Sequence, residues 1–293
     1  MCIRDRSEEI IGKALKKCNI PRNRVAIMTK CFFGVPDDGS MPPISLMKKN
    51  DGPMVNRVGI SRKHIFDAVQ ASMERLGTYI DVLQIHRLDH ETPKEETMRA
   101  LNDVVKRGWV RYIGASSMAT WEFQELQYIA EKHNWVKFIS MQNLYTLLYR
   151  EEEREMIPYC RHTGVGVIPW FAVAAGVLTR PWDDASTERA KSDSLLRTLL
   201  KNSDGTPEHE IVNRVEEVAK KKNVSMAQVA TAWLLSKPGV NPLLGLSKKE
   251  RIDEAVAAIH LKLTEEEIKY LEEPYMPRPV MGLSLIHISE PTR

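Results

Sequence analysis

"RVAIMTKCFF", residues 24–33, sets the reading of the fold. Val25, Ala26, Ile27 and Met28 form an apolar run too short for a helix, so 25–30 reads as a buried strand. Lys30 stands at its C-terminal end. Taken alone, such a lysine is most simply a stem on apolar surface with its ammonium in water. At the mouth of a parallel barrel it would be a catalytic cation. Cys31 beside it reads as a packing residue, although a neighbouring ammonium can lower a thiol's pKa. The rest of the chain has to decide.

Outward from this strand the chain alternates. "SEEIIGKALKKCNI" reads as a helix with a Ser7 cap, and "SRKHIFDAVQASMERLG" as one capped by Ser61 and stopped by Gly77. "TPKEETMRALNDVVKRG" has a Thr cap and Pro in its first turn. "ATWEFQELQYIAEKHN", "REEEREMIPYCRHTG", "PEHEIVNRVEEVAKKKN", "SMAQVATAWLLSKPG", "KKERIDEAVAAIHLK" and "TEEEIKYLEE" follow as helices. Between them lie strands at 25–30, 80–86, 110–116, 138–143, 165–171 and 242–247, apolar along their length. Parallel strands need crossover helices, and strands apolar throughout are covered on both faces. That leaves a (β/α)8 barrel or a doubly wound open sheet. No G-x-G-x-x-G follows a strand, which argues against a dinucleotide-binding open sheet. Six strands are two short of a barrel's eight.

The bulk numbers permit this. The chain has 293 residues, 43% of them hydrophobic, enough for one large α/β domain. A net charge of +3 gives no reason to expect a nucleic-acid or acidic-lipid partner, and no apolar run reaches membrane-spanning length. Cys2, Cys18, Cys31 and Cys160 are scattered, without metal or redox spacing, as in a reduced cytoplasmic protein.

Active sites of such barrels collect at the C-terminal strand ends. The ends here are Lys30, His86, Ser116 with Ser117, Gln142 with Asn143, Trp170, and Ser247 with Lys248. Each alone has a blander reading: a strand-end His is commonly structural, and Ser or Asn commonly caps the next helix. Six in succession are harder to dismiss.

The segments "TK", "LQIHRLD", "IGASS", "MQNLY", "IPW…AAGVL" and "GLSKKERIDEAV", in this order from Ser7 to about residue 275, resemble the aldo-keto reductases. Within that family the chain is similar to the aryl-alcohol dehydrogenase and versiconal-reductase-like subgroup. The resemblance implies an α/β (β/α)8 TIM barrel in which NADPH reduces an aldehyde or ketone, an aryl or polyketide-type carbonyl, to an alcohol. It assigns Lys30 as electrostatic partner of a tyrosine acid, and His86 as the group that orients the carbonyl. For NADPH it implies that Ser116, Ser117 and Gln142 bond the carboxamide and Trp170 stacks on the nicotinamide. Phe171, Ala172, Val173, Ala174, Gly176 and Leu178 would follow the pyrophosphate. Gly245, Leu246 and Ser247 would meet the adenosine end, Arg251 the 2′-phosphate, and Glu254 and Ala255 the adenine. For Arg251 the plain alternative is a solvated position in "SKKERIDE". No metal site is implied, and a monomer acting on a small carbonyl compound is expected.

Two departures from the family pattern matter. Phe171 and Ala172 stand where Ser-Pro is usual, and Ala175 where Arg is common, which bears on the phosphate side. The family's Asp and Tyr precede "SEEIIGKAL", where this chain has only "MCIRDR"; the Tyr position falls near Cys2. The first two strands are therefore expected to be missing, with 7–282 a single incomplete barrel domain. Residues 1–6 and 283–293 are expected to be non-native tails resembling translated adapter sequence. A chain so clipped would lack the acid and leave apolar interior uncovered. An inactive fragment or an NADPH-binding regulatory subunit of the same fold, a Schiff-base aldolase using Lys30, and a scaffold barrel are the competing readings. Segments 34–60 and 179–208 are expected to line the mouth, and Trp121 and Tyr145 are aromatic-wall candidates whose plainer reading is packing.

Overall fold

The computed structural model describes residues 4–35, 51–184 and 206–281. It contains the helices α1 (Arg4–Lys17), α2 (Arg62–Leu76), α3 (Lys94–Lys106), α4 (Thr120–Lys132), α5 (Met156–Thr163), α6 (Pro207–Lys222), α7 (Met226–Leu235), α8 (Lys249–Ala257) and α9 (Glu265–Glu272). The strands among the described residues are β1 (Met28–Cys31), β2 (Ile80–Ile85), β3 (Val110–Ser116), β4 (Phe138–Gln142) and β5 (Gly166–Val167). The chain divides into two compact units, residues 1–141 and 142–293.

In the first unit β1, β2, β3 and β4 are neighbours in chain order. β1 and β2 pair in parallel, as do β2 and β3, with Lys30 opposite Gln84 and Gln84 opposite Gly114. The helices that connect them bury their apolar stripes: Ile65, Val69 and Leu76 of α2, Met98, Leu101 and Val104 of α3, and Phe123 and Leu126 of α4 are within 2% of full burial. This is the alternating, parallel α/β arrangement that the apolar strand runs call for. Ser61 caps α2, its Oγ accepting from the His64 N–H, and Gly77 ends it in the left-handed region at φ 68°.

Two caps differ from the sequence reading. Ser7 lies inside α1, which begins at Arg4. α3 is preceded by Pro93, which has no side-chain cap group; Thr92 stands one residue before the cap position, and its hydroxyl donates to Asp89 Oδ2 at 2.7 Å.

In the second unit α6 and α7 supply the core, with Val212, Val215, Val229, Trp233 and Leu234 fully buried. The stretch expected as a helix from Arg150 is a 3-10 turn at Glu151–Glu153 followed by α5. The strand expected over 165–171 is regular only at Gly166–Val167, with one further parallel bridge between Leu144 and Trp170. The strand expected over 242–247 is not formed as a strand. Val240 bridges Val167, and the Asn241 and Leu243 N–H groups donate to Val167 and Pro169. Pro169 and Pro242 carry no N–H, so neither segment can complete a ladder. Among the described residues no helix is long and apolar enough to cross a membrane.

Candidate active site

The first unit places three of the expected residues on one face of its sheet. Lys30 is the third residue of β1, Ser116 is the last of β3, and His86 follows β2 directly. Partners in parallel register point to the same side, and alternate residues share a face. Lys30, Gln84, His86, Gly114 and Ser116 therefore line the same face, with the three functional candidates at its C-terminal rim. A Cβ on Gly114 would lie 2.9 Å from Gln84 Cγ and 2.5 Å from Ser140 Oγ, which shows how closely this face is packed.

At the rim the His86 N–H donates to the Cys31 carbonyl at 2.9 Å, tying the two strand ends together. Phe33 meets the His86 ring edge-on at 4.8 Å. Lys30 and His86 are half-buried, whereas Ser116 and Ser117 are buried. Ser117 takes a positive φ of 47°, so the chain turns sharply there before α4. Cys31 is fully buried, in keeping with a packing role. Arg87 lies in the same loop, its guanidinium pKa held below the ordinary value by burial.

The second unit carries the remaining candidates. Gln142 and Asn143 are buried at the end of β4. The Asn143 carbonyl accepts from the Trp170 N–H at 2.9 Å, and Trp170 is half-buried with Phe171 edge-on at 5.5 Å. From here the backbone is unusual. Phe171, Ala174, Ala175 and Gly176 all have positive φ, at 71°, 49°, 52° and 93°. Non-glycine residues in this region are uncommon, and the turn is closed by its own backbone bonds: the Ala174 N–H donates to the Phe171 carbonyl at 2.7 Å and the Gly176 N–H to the Val173 carbonyl at 2.9 Å. Ala172, Ala174 and Leu178 are buried, while Val173 and Gly176 are half-buried. Gly245, Leu246 and Ser247 are exposed and precede α8, in whose first turn Arg251 is exposed; Glu254 and Ala255 are half-buried on the same helix.

Several expectations fall elsewhere. Cys2, residues 36–50 and 185–205, and the segment 283–293 lie outside the described residues. Tyr145 is 1% exposed, packs on Trp233 at 5.2 Å and donates to Glu153 at 2.5 Å, so it is a core residue and not a wall. Burial, helped by the Glu153 charge, pushes its phenol well above the usual range. Burial also raises Tyr149, to about 12, and raises Tyr275. None of these three is poised to release a proton. Trp121 is 62% exposed under the Lys94 ammonium.

The sequence reading missed Glu152. It is buried beside the site, and its Oε2 accepts from Asn143 Nδ2 at 2.5 Å. The only signal for it was the length of the acidic run after β4.

A profile of the Aldo/keto reductase family matches residues 4–275. The chain is 61% identical over 276 residues to versiconal hemiacetal acetate reductase of Aspergillus parasiticus, covering 94% of this chain and 80% of that protein. It is 56% identical over 282 residues to a Schizosaccharomyces pombe protein named as an aryl-alcohol dehydrogenase, covering 94% and 79%. A Saccharomyces cerevisiae protein named in the same way is 51% identical over 273 residues, covering 93% and 79%. The parallel α/β build agrees with the (β/α)8 type of fold. With the reductase names carried by these relatives, the matched length shows that this chain is an oxidoreductase of the aldo/keto reductase family.

Proposed function

We propose that this protein uses NADPH to reduce an aldehyde or ketone, of aryl or polyketide type, to the alcohol. The observation that carries the reading is the shared face of Lys30, His86 and Ser116 at three adjacent strand ends. Two proton-bearing side chains stand together there beside a buried hydroxyl. When bound, NADPH supplies the hydride that goes to the carbonyl carbon. The oxygen then develops negative charge. The acid implied by the resemblance is a tyrosine whose position falls near Cys2 in this chain; Lys30 is the ammonium that would lower that acid's pKa and stabilise the charge, and His86 the group that would orient the carbonyl and support the proton transfer. Phe33, packed edge-on to His86, keeps the imidazole from swinging and restricts water on that side.

The donor set of the second unit fits the cofactor. Trp170 offers a ring face and Gln142 a carboxamide, and the resemblance has the segment 171–178 run along the pyrophosphate. Arg251, exposed in the first turn of α8, suits a phosphate dianion and gives the reason to prefer NADPH over NADH. The resemblance also gives Ser116 and Ser117, at the end of β3, as carboxamide ligands. Gly245–Ser247, Glu254 and Ala255 serve the adenosine end. Versiconal hemiacetal acetate reductase and the aryl-alcohol dehydrogenase names among the relatives support the substrate class. A small carbonyl compound as substrate, met in the cytoplasm, completes the reading.

The test is a spectrophotometric assay of NADPH oxidation with an aromatic aldehyde. In a chain that carries the tyrosine acid, Lys30→Met is expected to lower kcat by about 100-fold or more, the size of a lost electrostatic donor. Arg251→Ala is expected to raise the KM for NADPH by about tenfold to 100-fold and leave that for NADH unchanged, as for a hydrogen bond to a charged group. Unchanged turnover in Lys30→Met would remove the role given to that lysine. An unchanged NADPH preference in Arg251→Ala would remove the cofactor assignment.

A further inference from the structure

The three carboxylates of Glu151–Glu153 have different fates. Glu151 faces the C-terminal segment, accepting from Tyr275 Oη and the Arg278 N–H, both at 2.7 Å. Glu153 takes Tyr145 Oη and Arg150. Glu152 points inwards, is 7% exposed, and has Asn143 Nδ2 as its donor. A carboxylate buried without a cation is costly, so its position calls for a reason.

Asn143 supplies one. It is 1% exposed and joins three things. It follows Gln142 in the chain, its carbonyl receives the Trp170 N–H at 2.9 Å, and its side chain is held by Glu152. We propose that Glu152 is a positioning residue for the cofactor: by holding Asn143 it fixes the strand end that carries Gln142 and the backbone that carries Trp170. This rests on the nicotinamide reading of Gln142 and Trp170 given above.

The mechanism makes the effect depend on pH. An ionised carboxylate only accepts, so it fixes the Asn143 amide with Nδ2 inwards and Oδ1 away. A protonated carboxyl has an O–H to donate, can satisfy Oδ1 instead, and lets the amide invert. The groups facing Glu152 are Asn143, Glu151, Tyr149 and Cys160. Burial foremost, then the Glu151 charge, raises the Glu152 carboxyl against the Asn143 bond, to about 7. Tyr149 and Cys160 are each pushed up to about 12, chiefly by burial, and stay neutral through this range. NADPH affinity should therefore fall as the pH drops through about 7.

The experiment is calorimetric titration of the full chain with NADPH between about pH 5.5 and about pH 8.5, for the wild type, Glu152→Gln, Asn143→Ala and the double variant. Glutamine keeps the volume and an acceptor but cannot titrate. The wild-type Kd is expected to rise about tenfold towards the acid end, the size of one buried hydrogen bond lost, while Glu152→Gln stays flat. Asn143→Ala should abolish the difference between Glu and Gln at position 152, a non-additive cycle. A Glu152→Gln profile that parallels the wild type, with an additive cycle, would overturn the proposal, even if its urea midpoint had moved. Absence of NADPH binding to the wild type at every pH would reject the nicotinamide reading itself, and the positioning role with it.

Discussion

Gly114 shows how finely a single residue sets the candidate site. It lies between Gln84 and Ser140, on the face that carries Lys30 and His86 at its rim. A methyl group there would sit 2.5 Å from Ser140 Oγ and 2.9 Å from Gln84 Cγ, and neither neighbour has room to retreat, since both are buried. Gly114→Ala should destabilise by about 1–3 kcal/mol, the usual cost of overpacking, and lower the thermal midpoint. A melting curve that overlays the wild type would show that the sheet yields more easily than its packing implies. Glu152 gives a second expectation. Its folded pKa is raised, so the stability it contributes is present below the unfolded carboxyl pKa and is lost as the pH rises through about 7. Glu152→Gln should thus gain in urea midpoint over the wild type at about pH 8 and show little gain near pH 4, where both side chains are neutral. That Lys30 and His86 stand at strand ends could be read from the sequence because each closes an apolar run with a polar group. Glu152 could not, because nothing in a string of three glutamates says which one turns inwards.

At the scale of elements, what was legible depended on whether backbone and side chain signals agreed. α2 and α7 were readable because Ser61 and Ser225 make the cap bonds that their types favour. α3 kept its place but not its cap, because it opens directly after Pro93, one residue beyond Thr92. The strands expected after Val165 are cut short where Pro169 and Pro242 lack ladder donors and Phe171 turns into the left-handed region. The segment after α9 gives a prediction of its own. Tyr275 Oη and the Arg278 N–H both donate to Glu151, and the Met281 N–H donates to Tyr149 Oη at 2.9 Å. Burial tends to raise the Glu151 carboxyl, but Tyr275, Arg278 and Arg154 outweigh it, and the net shift is downwards. The stability it gives is then present above the unfolded carboxyl pKa and lost as the pH falls through the folded value. Amide exchange at 275–281 should accelerate on acidification below about pH 4.5 while α7 stays protected, and Glu151→Gln should show that fast exchange already at neutral pH. Equal protection in the variant would mean that the segment is held by its other contacts.

For the whole molecule the balance of covered and uncovered apolar surface decides behaviour in solution. In the second unit α6 and α7 bury their apolar stripes, but α8 buries none of its residues. Ile252, Val256 and Ile259 are 47%, 54% and 56% exposed, spaced as one stripe, and Leu243 and Leu246 just before the helix are 48% and 40% exposed. The first unit has its own exposed apolar residues, Ile10 at 58% and Tyr112 at 56%. The alternation of strands and helices, and hence the fold class, was legible from the apolar runs. This imbalance was only half legible, because periodicity shows that a helix has an apolar stripe but not whether anything covers it. A short helix gains little from propensity alone and depends on packing. α8 should therefore be among the least protected helices in amide exchange, and the chain should self-associate through this stripe, since exposed apolar patches of this kind seek cover. Sedimentation velocity at rising concentration should show association beyond a monomer. Replacing Ile252, Val256 and Ile259 together by lysine should reduce it while leaving the thermal transition of α6 and α7 in place, because the three side chains take no part in that core. A wild-type chain that sediments as a single monomer at every concentration and unfolds in one cooperative step would show that the stripe is tolerated in water, and α8 would then have to owe its helix to the charges of "KKERIDE".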